Sequence, residues 1–225
     1  HTAQFLTLAQ NSTAGTPLDI WFPATPNVKP QLCDQGSLGY FRNFKQNMFE
    51  ISLEGYYKYF RQMIDFRDHA QLLLNPYLEG ELRIGNGYSY GIESLIRKNS
   101  GRLTGWISYT YSRSFREIPE INDGNRYNAP YDKPHALNIV MNYDFSKRIS
   151  ASATWVYATG LPVTFPTGRA VIGNAIIPIY SNRNAYRMPD YHRLDLSVTL
   201  KGKEKPGKKW HGEWNLSIYN VYNRH

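Results

Sequence analysis

The sequence predicts an all-β fold, an antiparallel transmembrane β-barrel, and three observations carry that prediction. Apolar and polar residues alternate over runs of about ten residues, the mark of strands with one apolar face. The runs are joined by connections that are short and long in turn. Tyrosine is abundant (18 of 225 residues) and aromatics reach 15%, as in the girdles that flank the apolar band of a membrane barrel.

Nine segments are expected as strands. Weak ones fit 1–8 and 37–43. In the third, Phe49, Ile51, Leu53, Tyr57 and Tyr59 oppose Glu50, Ser52, Glu54, Tyr56 and Lys58. Segment 81–97 sets Tyr88, Tyr90, Ile92 and Ile96 against Ser89, Gly91, Glu93 and Arg97. Segment 103–112 sets Leu103, Ile107, Tyr109 and Tyr111 against Thr104, Trp106, Ser108, Thr110 and Ser112. Segments 136–145, 149–157, 193–201 and 210–222 follow the same rule, the last carrying Trp210, Trp214, Leu216 and Ile218. A ten-residue strand tilted by about 45° spans roughly 23 Å, close to the height of an outer-membrane apolar band.

The connections at 44–47, 98–101, 146–148 and 202–209 are short, whereas those at 9–36, 67–80, 116–133 and 160–190 are long and rich in Pro, Gly, Asn and charge. Short periplasmic turns alternating with long extracellular loops are the membrane-barrel pattern. An odd count of nine would leave the last strand running outward. A bacterial single-chain barrel has an even count and both ends in the periplasm. The expectation is therefore a barrel portion, with further strands before His1 and after His225.

Composition narrows the function classes. No stretch approaches the ~20 apolar residues of a membrane helix, which does not bear on strands. The single cysteine, Cys33, excludes an internal disulfide and a CxxC centre. The net charge is +8, but many cations sit between strands: Arg97, Lys98 and Arg102; Lys147 and Arg148; Lys201, Lys203, Lys205, Lys208 and Lys209. Without a helix-turn-helix, zinc-finger or RNA-recognition motif, they read as solvated turns, and no nucleic-acid partner is expected. Charges such as Glu50, Glu54, Lys58, Glu93, Asp144, Arg193, Asp195 and Glu213 fall opposite the aliphatic face, where a large barrel has its hydrated lumen.

Several strings, in order along nearly the whole chain, carry a family resemblance. They are Glu54-Gly55-Tyr56-Tyr57-Lys58, Tyr90-Gly91-Ile92-Glu93 and Gly101-Arg102-Leu103-Thr104-Gly105-Trp106-Ile107-Ser108-Tyr109-Thr110. Tyr131-Asp132-Lys133-Pro134-His135, Ala158-Thr159-Gly160-Leu161-Pro162-Val163-Thr164 and Tyr191-His192-Arg193-Leu194-Asp195-Leu196-Ser197 follow. Together they resemble the C-terminal barrel of TonB-dependent receptors of the Bacteroidetes type. The resemblance implies about nine strands of a 22-stranded barrel in the bacterial outer membrane. It also implies an N-terminal plug that engages the TonB complex, neither plug nor TonB box being in these residues. Expected partners are outer-membrane lipid, TonB through that plug, and a surface lipoprotein in some relatives. The implied function is energised uptake of a bulky nutrient, with no cofactor.

Candidate chemistry is sparse. His69, His135, His192 and His211 form neither HExxH nor a helical pair. Asp132 with His135 would suit part of a hydrolase site, but the plainer reading is a loop-to-strand junction whose polar groups satisfy backbone. The sequons at Asn11-Ser12-Thr13 and Asn215-Leu216-Ser217 are uninformative. The run from Arg183 to Arg193 concentrates cations and aromatics beside a strand start, so Arg183, Tyr186, Arg187, Tyr191 and Arg193 are the candidate ligand contacts. The same run would equally brace a long loop against the wall. No catalytic residue is assigned. A barrel enzyme and a passive porin are the rival functions.

Overall fold

The computed structural model describes residues 3–7, 19–70, 75–173, 175–202 and 212–223. Lys203, Lys205, Lys208, Lys209, Trp210, His211 and the sequon at Asn11 lie outside the described residues. Among the described residues, no helix is long and apolar enough to cross a membrane.

One antiparallel sheet dominates. Its eight long strands are β3 (Leu32–Phe44), β4 (Phe49–Phe66), β5 (Leu82–Lys98), β6 (Leu103–Glu117), β8 (His135–Asp144), β9 (Ile149–Ala158), β14 (Tyr191–Lys201) and β15 (Glu213–Ile218). They lie in the order β3-β4-β5-β6-β8-β9-β14-β15, each beside its neighbour in the chain. The ninth member is the two-residue β7 (Tyr127–Asn128), paired to the end of β6. The segment expected as a first wall strand instead forms a separate hairpin, β1 (Ala3–Thr7) with β2 (Asp19–Pro23).

The register explains the alternation. Ile51 pairs with Ile96, Ile96 with Ile107, Ile107 with Ile139, Ile139 with Trp155, and Trp155 with Leu194. This row crosses six strands on one face. Residues at the two ends of that face are aromatic. Phe49, Tyr143 and Trp214 mark the turn end, and Tyr57, Tyr59, Tyr88, Tyr90, Tyr109, Tyr111 and Tyr157 the loop end. An apolar band between aromatic girdles is the outer surface of a membrane barrel.

The opposite face is polar. Ser152 and Ser197 hydroxyls meet at 2.7 Å, Asn215 Nδ2 donates to Thr199 Oγ1 at 2.8 Å, and Arg97 pairs with Glu50 at 3.5 Å. Glycine is used there where a ring crosses the strand. A Cβ on Gly91 would stand 2.8 Å from the Tyr56 hydroxyl and 2.6 Å from the Tyr111 carbonyl.

The short turns lie along one edge. Between β3 and β4, Gln46 and Asn47 both have positive φ, and Met48 N–H donates to the Lys45 carbonyl at 3.1 Å. That is the mirror-image turn whose twist suits a tight hairpin. The long segments gather at the other edge, and the buried side chains lie there. One cluster joins Val28, Ile64, Phe66, Ala70 and Leu82, with Leu78 against it. A second joins Met63, Ile118, Ile121 and Tyr127, with Phe60 against it. The wall itself needs no such core, because lipid and lumen cover its faces.

The segment 160–190 carries structure of its own. It holds β10 (Pro162–Val163), paired with β13 (Tyr186–Arg187), and a hairpin of β11 (Pro166–Ile172) and β12 (Ala175–Tyr180).

Candidate functional site at the loop end of the sheet

A bulge shapes the loop end. The pairing of β4 with β5 shifts between Arg61 and Met63, and Gln62 takes a left-handed φ of 58°. An extra residue in one strand reverses the facing of everything after it. Up to Arg61 the odd residues of β4 face outward; beyond Gln62 they face inward. Asp65 therefore turns to the polar side, and Ile64 and Phe66 turn out under the covering loop.

Asp65 is the hub of the inner cluster. Arg116 reaches it at 2.8 Å, the Tyr127 hydroxyl donates to it at 2.9 Å, and Arg183 lies 3.6 Å away. Arg183 also donates to Asp68 at 2.7 Å and to the Phe66 carbonyl at 2.9 Å. Burial, then the neighbouring Asp65 carboxylate, push the Tyr127 phenol well above its ordinary pKa. The cluster thus ties the segments after β4, after β6 and before β14 into one cap.

A second hub is Asp132, whose side chain is fully buried. It accepts from Ser114 N–H at 2.7 Å, pairs with Arg187, and has Arg113 Nε at 3.5 Å. Arg187 further donates to the carbonyls of Asp132 at 2.8 Å and Gly160 at 3.1 Å. Asn184 and Asn128 exchange side-chain and carbonyl bonds at 2.8 and 3.1 Å. Gly160 passes so close to the Met188 carbonyl that a Cβ would collide with it. His135 is engaged separately, by the Tyr109 hydroxyl at 2.8 Å. Asp132 and His135 thus serve backbone and a phenol. Among the described residues, no group of three or more His, Cys, Asp or Glu could hold a metal ion.

The five residues expected to touch a ligand divide. The Arg183 side chain is 1% exposed and faces Asp65 and Asp68, so here it braces the cap. Arg187 is largely committed to Asp132. Tyr186 keeps an exposed ring. Tyr191 and Arg193 share the inner face at the mouth, where Arg193 pairs with Asp195 at 2.9 Å and contacts the Tyr191 hydroxyl at 3.3 Å. The Tyr219 ring lies 4.3 Å from the Arg193 guanidinium carbon and its hydroxyl accepts from Arg193 at 2.5 Å. Sequence reasoning missed Asp65, Asp68 and Arg116. Their one signal is Asp65 itself, a carboxylate in an otherwise apolar Met63–Phe66 stretch.

A sheet with an apolar outer band, aromatic girdles, a polar inner face and a loop cap at one end is a section of an outer-membrane β-barrel wall. The family model described as TonB dependent receptor-like, beta-barrel matches residues 3–223, and the chain belongs to that family. It is a family of outer-membrane receptors and transporters in Gram-negative bacteria, not of enzymes. Among solved structures, the chain is similar to the closed form of the ferric-catecholate import receptor Fiu from K12 E. coli. The TM-score is 0.57 at 15% identity, over 96% of this chain and 26% of that one. The chain therefore spans about a quarter of that receptor's length. No curated protein matches it.

Proposed function

We propose that this chain forms wall and mouth of a receptor that binds a bulky nutrient outside the cell and imports it with energy delivered through TonB. The observation that supports this best is the cap. A passive pore has no need for loops tied down by buried carboxylate hubs, whereas a receptor must present a fixed surface to its ligand. Within the proposal, Tyr186, Arg187, Tyr191 and Arg193 are the contacts, by stacking, hydrogen bonding and charge. Asp195 and Tyr219 hold Arg193 in place. Within the proposal, a plug and the TonB contact are supplied by other parts of the receptor.

The test uses the full-length receptor. Binding of a ferric catecholate, cobalamin, an oligosaccharide and a peptide is measured in detergent by intrinsic fluorescence. Uptake of the binder is then followed in cells with and without TonB. TonB-dependent uptake, with Tyr191→Ala weakening binding by roughly tenfold, is the expected result. Uptake that persists undiminished without TonB overturns the proposal in favour of a passive barrel.

A further inference from the structure

Just above the loop-end tyrosines, the outward face carries arginines where a strand would be expected to end in polar, neutral residues. Arg113 shares the outer face of β6 with Tyr109 and Tyr111, one step beyond Tyr111. Its cross-strand partner is the outward Tyr90. One further step along is Phe115, whose ring packs against Tyr88 at 5.3 Å between centroids. Arg126, from the segment after β6, folds back over the same ring. Both guanidinium carbons, of Arg113 and of Arg126, sit 4.6 Å from the Phe115 centroid. Arg126 also donates to the Tyr88 hydroxyl.

The charge on this patch does not balance. Arg113 has one carboxylate near it, Asp132, which is buried and shared with Arg187. Arg126 makes no ion pair among the described residues and is exposed. Asp34 is on the same face but is engaged by Arg61 at 2.8 Å, and Glu117 lies one step farther out than Phe115. Two like charges held on one ring repel, and an anion placed between them would relieve that repulsion.

Position identifies the anion. Tyrosine girdles sit at the level of lipid headgroups. Arg113 is one outward-facing step, about 6.6 Å, beyond Tyr111 along the strand. That is where headgroup phosphates lie, and basic clusters at this level bind anionic headgroups. We propose that Arg113 and Arg126, on the Phe115 platform, bind the phosphate of an outer-leaflet glycolipid. The planar guanidinium suits phosphate through paired N–H donors. The lipid would act as a fixed annular partner that also anchors the segment after β6. This inference is independent of the imported nutrient.

The test is lipid retention by the full-length receptor in nanodiscs of phosphatidylcholine, supplemented with either lipid A bisphosphate or its dephosphorylated form and read by native mass spectrometry. Wild type is expected to retain the bisphosphate in preference to the dephosphorylated lipid. Arg126→Gln should lower that retention about fivefold, and Arg126→Lys should lower it less. Arg126 is exposed and touches only rings and a hydroxyl, so its loss leaves the Asp132 hub intact. Arg113→Gln is then informative if the Arg126 result holds. Equal retention of the two lipids by wild type, or unchanged retention by Arg126→Gln, overturns the proposal.

Discussion

At the scale of single residues, the cap depends on carboxylates that were drawn away from water. Asp65 is 6% exposed and Arg183 4% exposed, and such ions are tolerable only while paired. Removing one partner is far worse than removing both, because it leaves a buried charge uncompensated. Asp65→Asn keeps the shape but strands Arg116, leaves Arg183 to Asp68 alone, and should cost the cap about 3–5 kcal/mol. Limited proteolysis of the folded full-length receptor reads this directly. Cleavage within 160–190 should rise sharply, while the barrel keeps its heat-resistant mobility on gels. The double change Asp65→Leu with Arg116→Met, which replaces ions by apolar volume and leaves Arg183 paired with Asp68, should restore much of the protection. If Asp65→Asn leaves cleavage unchanged, the hub contributes little to holding the cap.

At the scale of elements, the decisive feature is the bulge at Gln62. Were the same residues paired in a plain register with no bulge, Asp65 would share the outer face with Ile51 and Leu53, and Phe66 would turn toward the lumen. Deleting Gln62 removes the unpaired residue and leaves Arg61 opposite Asn86 and Met63 opposite Gly85, so Asp65 should stay on the inner face and the cap should persist. Hydrogen exchange should show retained protection in 49–60, 63–70 and 118–132. Loss of protection in 63–70 and 118–132 after the deletion would mean that Gln62 supports the cap by more than setting the facing. The bulge also explains what the sequence made legible. In 103–112 and 136–145 every second residue obeys one pattern, so the second is placed to within a residue at each end and the first at its start, β6 running on to Glu117. In β4 the apolar positions run odd through Tyr59 and then even at Phe60, Ile64 and Phe66. The alternation stops there, and only the polar, charged connection expected from 67 onward marks the strand end observed at Phe66. The hairpin of β11 and β12 was hidden for a related reason. Val171, Ile176, Ile177 and Ile179 are apolar on both of its faces and exposed, so no alternation marks it. The partners of Arg183 lay farther still from view: Asp68 is 115 residues away in the chain, and only the return of that segment across the mouth joins them.

At the scale of the whole molecule, the two faces of the sheet meet different solvents, and that difference is open to measurement at neighbouring positions. Ile139 stands in the middle of β8, in the row that links Ile51, Ile96, Ile107, Trp155 and Leu194. Asn138, beside it, faces inward and donates to Ser108 Oγ at 3.4 Å. An arginine at the lipid-facing position near mid-bilayer costs about 2–4 kcal/mol, because its charge must be dragged toward an interface. The same arginine on the lumen side keeps its water and loses one long hydrogen bond. Ile139→Arg should thus lower the urea midpoint of the full-length receptor folded in vesicles, and Asn138→Arg should leave it almost unmoved. A soluble two-layer sheet would bury the same row against its second layer and give the same order of effects, so the mark of lipid is depth: arginine is costly near mid-bilayer and close to free at the interface. The paired measurement therefore separates lipid-facing from lumen-facing positions, using two substitutions one residue apart.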